Sequence, residues 1–183
     1  SLNPENEVMI VHEGGLAPII KLLKSANQRI QEHAVVTIRN LSCNEQNEVD
    51  IVAEKALPPL CMLLRSANED LQEHSAGAIA NLSTNPVNKL KIAQEGAVGP
   101  LVALLRSPDD LVVEQAVIAV RNLTESPENR ARIVQEGALP RLTSLLRSAV
   151  DRIQEAAYNI MGYLDRCRFH FNYGMALAPL AAG

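Results

Sequence analysis

Aromatic residues are scarce in this 183-residue sequence, which contains no tryptophan, two phenylalanines and three tyrosines. Hydrophobic residues still make up 47% of it, so its apolar residues are mostly aliphatic and numerous enough to form a sizeable core. Many leucines and alanines, with few alternating β-branched or aromatic residues, are typical of packed helices. The composition therefore predicts an all-α protein and argues against a β-sandwich or a disordered chain.

Several other features are missing. The formal net charge of −4 lacks the basic excess expected of a nucleic-acid-binding protein. No apolar run approaches the roughly 18 residues that span a bilayer, and no signal peptide opens the sequence, so no membrane insertion is expected. The start at Ser1 instead of a methionine suggests a piece of a longer protein.

The three cysteines do not form a recognisable framework. Cys43, Cys61 and Cys167 are an odd and scattered set, which argues against disulfides and suits a reducing compartment. We therefore expect a cytoplasmic protein, with the nucleus as the alternative location.

The sequence matches itself, without gaps, when it is shifted by 41 residues. A unit of this length cannot bury its apolar face alone, so the period indicates a solenoid. The predicted units are residues 3–43, 44–84, 85–125 and 126–166, followed by a non-repeat tail, 167–183, that is a candidate cap. Two residues shared by all four units are an asparagine (Asn6, Asn47, Asn88, Asn129) and an isoleucine (Ile10, Ile51, Ile92, Ile133).

Proline and glycine divide each unit into three helices. The first helix opens at a capping residue followed by proline in three of the units. It ends at Gly14, Gly96 or Gly137, where a left-handed residue is expected, whereas the second unit has Lys55 there. The second helix is predicted to begin near a proline and carries a Leu-Leu pair. The third follows a Ser-x-x-Gln/Glu/Asp segment, starting at Ser25 in the first unit, that resembles a capping box.

The third helix resembles that of a known repeat family. The run from Ile30 to Ser42, which is echoed from Leu71 to Ser83, is similar to helix three of armadillo repeats, and the segment before it resembles helix two. HEAT repeats lack the Asn-Leu ending of this run, and tetratricopeptide repeats are shorter and have two helices. The resemblance covers about residues 1–166. It is closest to plant-like and vacuole-anchoring armadillo proteins and to the repeats that follow U-box domains. It implies a right-handed α-solenoid of four three-helix repeats.

The resemblance also implies a protein–protein interaction scaffold. In this family the third helices line a concave groove that binds an extended peptide, and an asparagine near the end of each third helix binds the ligand backbone. Asn40, Asn81 and Asn122 occupy that position, and Tyr163 replaces the asparagine in unit four. An asparagine amide offers a donor and an acceptor at once, which suits a peptide of any sequence. The alternative is that each asparagine caps or ties down neighbouring backbone.

The residues one turn before the asparagines predict what the groove does not bind. Nuclear-import adaptors of the family have tryptophan at this position and use it to bind lysine and arginine side chains. Because this sequence has no tryptophan, nuclear-localisation signals are not expected ligands. The residues at this position are Val36, Gly77, Ile118 and Asn159.

Arginine directly precedes two of the asparagines, and Arg-Asn-Leu is similar to the β-catenin groove, where basic residues receive acidic peptides. Arg39 and Arg121 could therefore pair with ligand carboxylates. Alternatively, they could bond to Asp or Glu side chains of adjacent repeats. Ala80 stands between them in the repeat register and interrupts any continuous basic stripe.

No enzyme activity, metal site or cofactor is predicted. His33 and His74 share one position on neighbouring repeats, but Gln115 and Ala156 follow in the next two units, so both histidines are interpreted as groove-edge residues. No cysteine has metal-ligand spacing, and no phosphate-binding glycine loop occurs.

The aromatic residues are confined to the end of the sequence, and this suggests an alternative function. Exposed leucine-rich ends of a solenoid stack on other molecules unless they are capped. The rings are expected to cover the C-terminal face of unit four, with a docking surface as the alternative. An assembly module that self-associates through its ends and the aromatic segment is therefore the alternative function. The rings are Tyr158, Tyr163, Phe169, Phe171 and Tyr173.

Overall fold

The computed structural model describes the backbone of residues 3–175 and the side chains of residue 3 and of residues 5–165. This part of the chain is all-α, and its twelve helices form a right-handed α-solenoid of four three-helix repeats. The helices are α1 (Pro4–His12), α2 (Leu16–Leu22), α3 (Gln28–Leu41), α4 (Glu48–Ala53), α5 (Leu57–Leu63), α6 (Glu69–Leu82), α7 (Pro86–Gln94), α8 (Val98–Leu104), α9 (Asp110–Thr124), α10 (Pro127–Gln135), α11 (Ala138–Leu145) and α12 (Asp151–Met175).

The residue after each first helix adopts the predicted left-handed conformation. The φ angles are 79° at Gly14, 83° at Gly96 and 79° at Gly137. Lys55 takes the same conformation, with φ at 64°, although this costs a residue with a Cβ atom about 1–2 kcal/mol. The turn from the first to the second helix is therefore the same in every repeat, whichever residue occupies it.

The third helices begin differently from the predicted capping box. In repeat one the cap is Asn27, whose Oδ1 accepts from the backbone N–H of Arg29 at 3.0 Å, and not Ser25. The Oγ of Ser25 instead accepts from the N–H of Asn27 at 3.1 Å. The serine thus shapes the turn before the helix, and the prediction was wrong by two residues. Asn68 and Asp109 are the equivalent caps in repeats two and three.

Aliphatic rows run through the solenoid and form one core. The isoleucines that mark the repeat in the sequence are fully buried at Ile51, Ile92 and Ile133. Burying each such side chain contributes about 1.5–3 kcal/mol. The third helices pack against one another in sequence, α3 on α6, α6 on α9 and α9 on α12. Their sides turned away from the core form one continuous surface, which we call the third-helix face.

Helix α12 continues past the predicted end of repeat four at residue 166 and reaches Met175. The side chains of Phe169, Phe171 and Tyr173, and residues 176–183, lie outside the described part of the chain. The predicted cap therefore stays a prediction. None of the described helices is both long and apolar enough to cross a membrane.

Candidate functional site on the third-helix face

Asn81 ties repeat two to repeat one. Its Nδ2 donates to the backbone carbonyl of Arg39 at 3.2 Å and to the Oγ of Ser42 at 3.1 Å. Ser42 in turn donates to the same carbonyl at 2.7 Å. The last carbonyls of a helix have no partner within the helix, so these bonds satisfy the end of α3. The serine that ends repeat one and the asparagine near the end of repeat two therefore donate to the same backbone carbonyl at the end of α3.

Asn122 makes the same connection one repeat later. Its Nδ2 donates to the carbonyl of Ala80 at 3.0 Å and to the Oγ of Ser83 at 3.2 Å. Its Oδ1 accepts from the Nη2 of Arg121 at 3.2 Å. Only 6% of Asn122 is exposed, so both ends of this amide are bonded within the protein and shielded from solvent.

The two ends of the asparagine row differ from its middle. Asn40 is half-buried, and its side chain makes no hydrogen bond with the described residues, because no described repeat lies on its N-terminal side. Tyr163 is also half-buried, and the guanidinium carbon of Arg130 lies 5.5 Å from the centre of its ring. This distance is typical of a cation–π contact.

Arg39 pairs with the neighbouring repeat. Its Nη1 lies 2.8 Å from the Oε1 of Glu73 and 2.9 Å from the Nδ1 of His74. The side chain crosses Gly77 closely, since a Cβ atom added there would lie 2.7 Å from the Nε of Arg39. Of the two alternatives left open by the sequence, the contact with an adjacent repeat is the one present in this structure.

Glutamates on the third helices also bond across the repeat junctions. Glu32 accepts from the Nδ2 of Asn68 at 3.1 Å, and Glu114 accepts from the Nη1 of Arg152 at 3.1 Å. Val36, Ile118 and Asn159 are half-buried on the same face. No group of His, Cys, Asp and Glu side chains in the described residues could hold a metal ion.

A second asparagine row, on the first helices, has a structural role that the sequence analysis did not assign. Asn129 is buried, and its Nδ2 donates to the carbonyls of Leu123 and Lys89, both at 3.2 Å. Asn88 bonds in the same way to Leu82 and Glu48. The available signal was regularity: this asparagine occurs in all four units, whereas the third-helix asparagine becomes tyrosine in unit four.

The model of the armadillo/beta-catenin-like repeat matches the sequence four times, at residues 3–43, 44–84, 85–125 and 126–163. The chain belongs to the armadillo repeat family. No curated protein sequence matches this armadillo chain.

Solved structures of designed armadillo repeat proteins are similar to it. One is 30% identical, covers 88% of this chain and 69% of its own, and superposes with a TM-score of 0.85. A second, with the same identity and coverage and a TM-score of 0.83, is described as computationally designed for modular peptide recognition. A third, again 30% identical over 88% of this chain and 69% of its own, has a TM-score of 0.81 and is in complex with the peptide (KR)4.

Proposed function

We propose that this armadillo chain is a protein–protein interaction scaffold that binds an extended peptide segment along the third-helix face. The observation that carries the proposal is the unused acceptor of two asparagines in the row, whereas Asn122 is bonded at both ends of its amide. The Oδ1 atoms of Asn40 and Asn81 accept no hydrogen bond from the described residues, and both side chains are half-buried, not sealed. The complex of a similar designed armadillo protein with the peptide (KR)4 supports a peptide as the ligand. The role is binding rather than catalysis.

The bonds that Asn81 makes to repeat one fit this role. With Nδ2 bonded to the end of α3, the amide plane is held in one orientation and Oδ1 is left to accept a peptide N–H. Packed helices lie about 8–10 Å apart, and an extended chain rises about 3.3 Å per residue. Successive asparagines therefore meet about one peptide amide in every two or three.

The strength of such binding is limited. A net hydrogen bond contributes about 0.5–1.5 kcal/mol, whereas micromolar affinity needs about 8 kcal/mol. Backbone contacts to this row supply only part of that amount after the cost of ordering the peptide. We therefore expect weak binding unless side chains of the ligand add contacts.

Asn40→Ala is the sharpest test, because the Asn40 side chain makes no hydrogen bond within the described part of the protein. Random dodecapeptides displayed on phage are selected on the immobilised chain, and the enriched peptide is measured by calorimetry. Asn40→Ala should weaken binding about threefold to tenfold, the loss of one hydrogen bond, without changing the melting temperature. The matched control is Gln94→Ala, which removes an exposed amide from first helix α7 and should leave the affinity unchanged. An enriched peptide whose binding is insensitive to Asn40→Ala and to Asn81→Ala contradicts the proposal.

A second candidate function, assembly through the solenoid ends, is favoured by one observation. Tyr158 is 72% exposed and Leu139 is 36% exposed, whereas their equivalents one repeat earlier, Val117 and Val98, are fully buried. The apolar end of repeat four is thus open in the described structure, and the opposite end of a second copy would suit it. Sedimentation velocity over a hundredfold concentration range tests this. Tyr158→Lys should abolish any concentration-dependent association, and a wild-type monomer throughout would contradict it.

A further inference from the structure

The first repeat exposes two apolar positions that the other repeats bury. Leu22 is 45% exposed and Ile30 is 39% exposed, whereas their equivalents are at most 7% exposed. The equivalents are Leu63, Leu104 and Leu145 for Leu22, and Leu71, Val112 and Ile153 for Ile30. Repeats two to four each follow another repeat, and repeat one follows none in the described structure. The surface around Leu22 and Ile30, which we call the N-terminal face, is therefore one half of a repeat junction.

Repeat four exposes the other half of such a junction. Tyr158 and Leu139 are exposed on its open side, where the equivalent residues of repeat three are fully buried. An open cavity of about 510 Å³ lies on this surface, which we call the C-terminal face, and it is lined by Leu146, Asp151, Gln154, Glu155 and Tyr158. The two faces lie at opposite ends of the described solenoid and correspond to the two sides of one internal junction.

One glutamate position of the third helices bonds forward across two internal junctions. The Oε1 of Glu32 accepts from the Nδ2 of Asn68 in the next repeat at 3.1 Å. The Oε1 of Glu114 accepts from the Nη1 of Arg152 in the next repeat, also at 3.1 Å. The two donors lie two residues apart in the repeat register. At the junction between repeats two and three, the corresponding glutamate instead pairs backwards with the preceding repeat.

The same donors and the same acceptor are present on the two open faces. Arg29 is equivalent to Arg152, and Asn27 is equivalent to Asn68. Glu155 occupies the position of the accepting glutamates. The side chains of Arg29 and Glu155 are exposed and form no hydrogen bond or ion pair with any described residue. The Oδ1 of Asn27 caps α3, and its Nδ2 is left to donate elsewhere. The charges of the two faces are therefore complementary.

We propose that a second copy of this chain docks its C-terminal face on the N-terminal face, so that Glu155 of one copy receives Arg29 and Asn27 of the other. The contact repeats an internal junction and covers Leu22 and Ile30. Because it joins two unlike surfaces, each added copy leaves one face of each kind open, and the assembly grows one chain at a time. This inference rests on the second candidate function above and specifies its interface.

The junction between copies is weaker than an internal one. Within the chain, a third-helix asparagine donates to a carbonyl near the end of the preceding third helix, as Asn81 does to Arg39. The equivalent carbonyl of repeat four belongs to Gly162, which lies inside α12 and not at its end. A carbonyl inside a helix is already bonded within that helix. Asn40 therefore gains no such partner from the second copy, and the association depends on the protein concentration.

Charge reversal tests the pairing. Sedimentation velocity over a concentration series gives the association constant of each protein, and circular dichroism melting checks that each variant is folded. Arg29→Glu and Glu155→Arg should each weaken association about tenfold, because a like-charge contact replaces an exposed ion pair. The double variant Arg29→Glu/Glu155→Arg restores opposite charges and should associate within about twofold of the wild type.

An equimolar mixture of the two single variants provides an independent restoration. Each face then meets the opposite charge on the other variant, so the mixture should associate as the wild type does. The matched controls are Arg106→Glu and Glu45→Arg, which make the same changes of charge at exposed residues of repeats three and two. Neither control residue belongs to an open face, so both substitutions should leave the association constant unchanged.

The outcomes separate the inference from the function on which it rests. Association that Tyr158→Lys abolishes but that neither charge reversal weakens overturns the inference alone. A loss that neither the double variant nor the mixture restores also overturns it, as do controls that weaken association to the same extent. A wild-type chain that stays monomeric throughout the series overturns the inference together with assembly through the solenoid ends.

Discussion

The Nδ2 of Asn88 donates to the backbone carbonyl of Leu82 at 3.2 Å, at the buried end of α6. The same nitrogen donates to the carbonyl of Glu48 in the preceding repeat, also at 3.2 Å. One amide therefore joins a third helix to the first helices of two repeats, out of contact with solvent. The stability of the solenoid should depend on this polar row as well as on its aliphatic core.

Asn88→Ala should destabilise the protein by about 2–3 kcal/mol, because it leaves two buried carbonyls without a donor. Urea denaturation followed by circular dichroism measures the change. Asn40→Ala is the matched control and should stay within about 0.5 kcal/mol of the wild type, as expected of a side chain without internal bonds. Equal effects of the two substitutions would contradict the structural role of the first-helix row.

Lys55→Gly should stabilise the protein by up to about 1 kcal/mol. The substitution removes the steric cost of a Cβ at φ of 64°, although glycine also gains freedom in the unfolded chain and offsets part of the effect. Thermal melting measures the result. The converse change, Gly96→Ala, places a Cβ at φ of 83° and should lower the melting temperature. A stabilising Gly96→Ala would show that the left-handed turn is not required there.

Lys89 is buried on α7 and forms an ion pair with Glu125, whose side chain is 45% exposed. Removing only the acid leaves a buried ammonium without a partner, whereas replacing the lysine with an apolar residue removes the charge itself. Glu125→Gln should therefore cost about 1–2 kcal/mol, less than for a fully buried pair. Lys89→Met should cost less than Glu125→Gln. Urea midpoints of the two variants decide the order, and a larger loss for Lys89→Met would contradict it.

The two described cysteines should differ in reactivity. Burial raises the pKa of the Cys61 thiol from its ordinary 9.0 to about 11, partly offset by Arg65, whereas Cys43 is exposed. The thiolate is the reactive form, so in a Cys167→Ser background only Cys43 should react rapidly with a disulfide reagent at pH 8. Rapid modification of two thiols in the native protein would contradict this expectation.

The raised pKa of Cys61 also predicts a pH dependence of stability. The folded state holds the thiol proton more tightly than the unfolded chain does, so the stabilisation is complete below pH 9. It is lost as the pH rises from 9 towards 11, the window between the two pKa values. Comparing the wild type with Cys61→Ala by urea denaturation in this range isolates the contribution. An equal loss of stability in both proteins would show that groups other than Cys61 cause the pH dependence.

The local turns were largely predictable because they follow from single residues. The left-handed positions were read from Gly14, Gly96 and Gly137, since few other residues favour that conformation. The sequence places the cap of the third helix at Ser25 instead of Asn27, because both residue types are good caps and the two lie two residues apart. Which of them caps depends on where the helix axis begins, and packing decides that.

The sequence by itself determined the period of 41 residues, the three helices of each repeat and the family, because these follow from the regular spacing of apolar residues, proline and glycine. It also showed which residues are equivalent. Only the tertiary structure decided what equivalent residues contact. Arg39 and Arg121 share one position, but Arg39 crosses Gly77 to Glu73 of the next repeat, whereas Arg121 turns back to Asn122. The reason is that a side chain's partner depends on the free space between two packed helices. The order of residues along either helix alone does not specify that space.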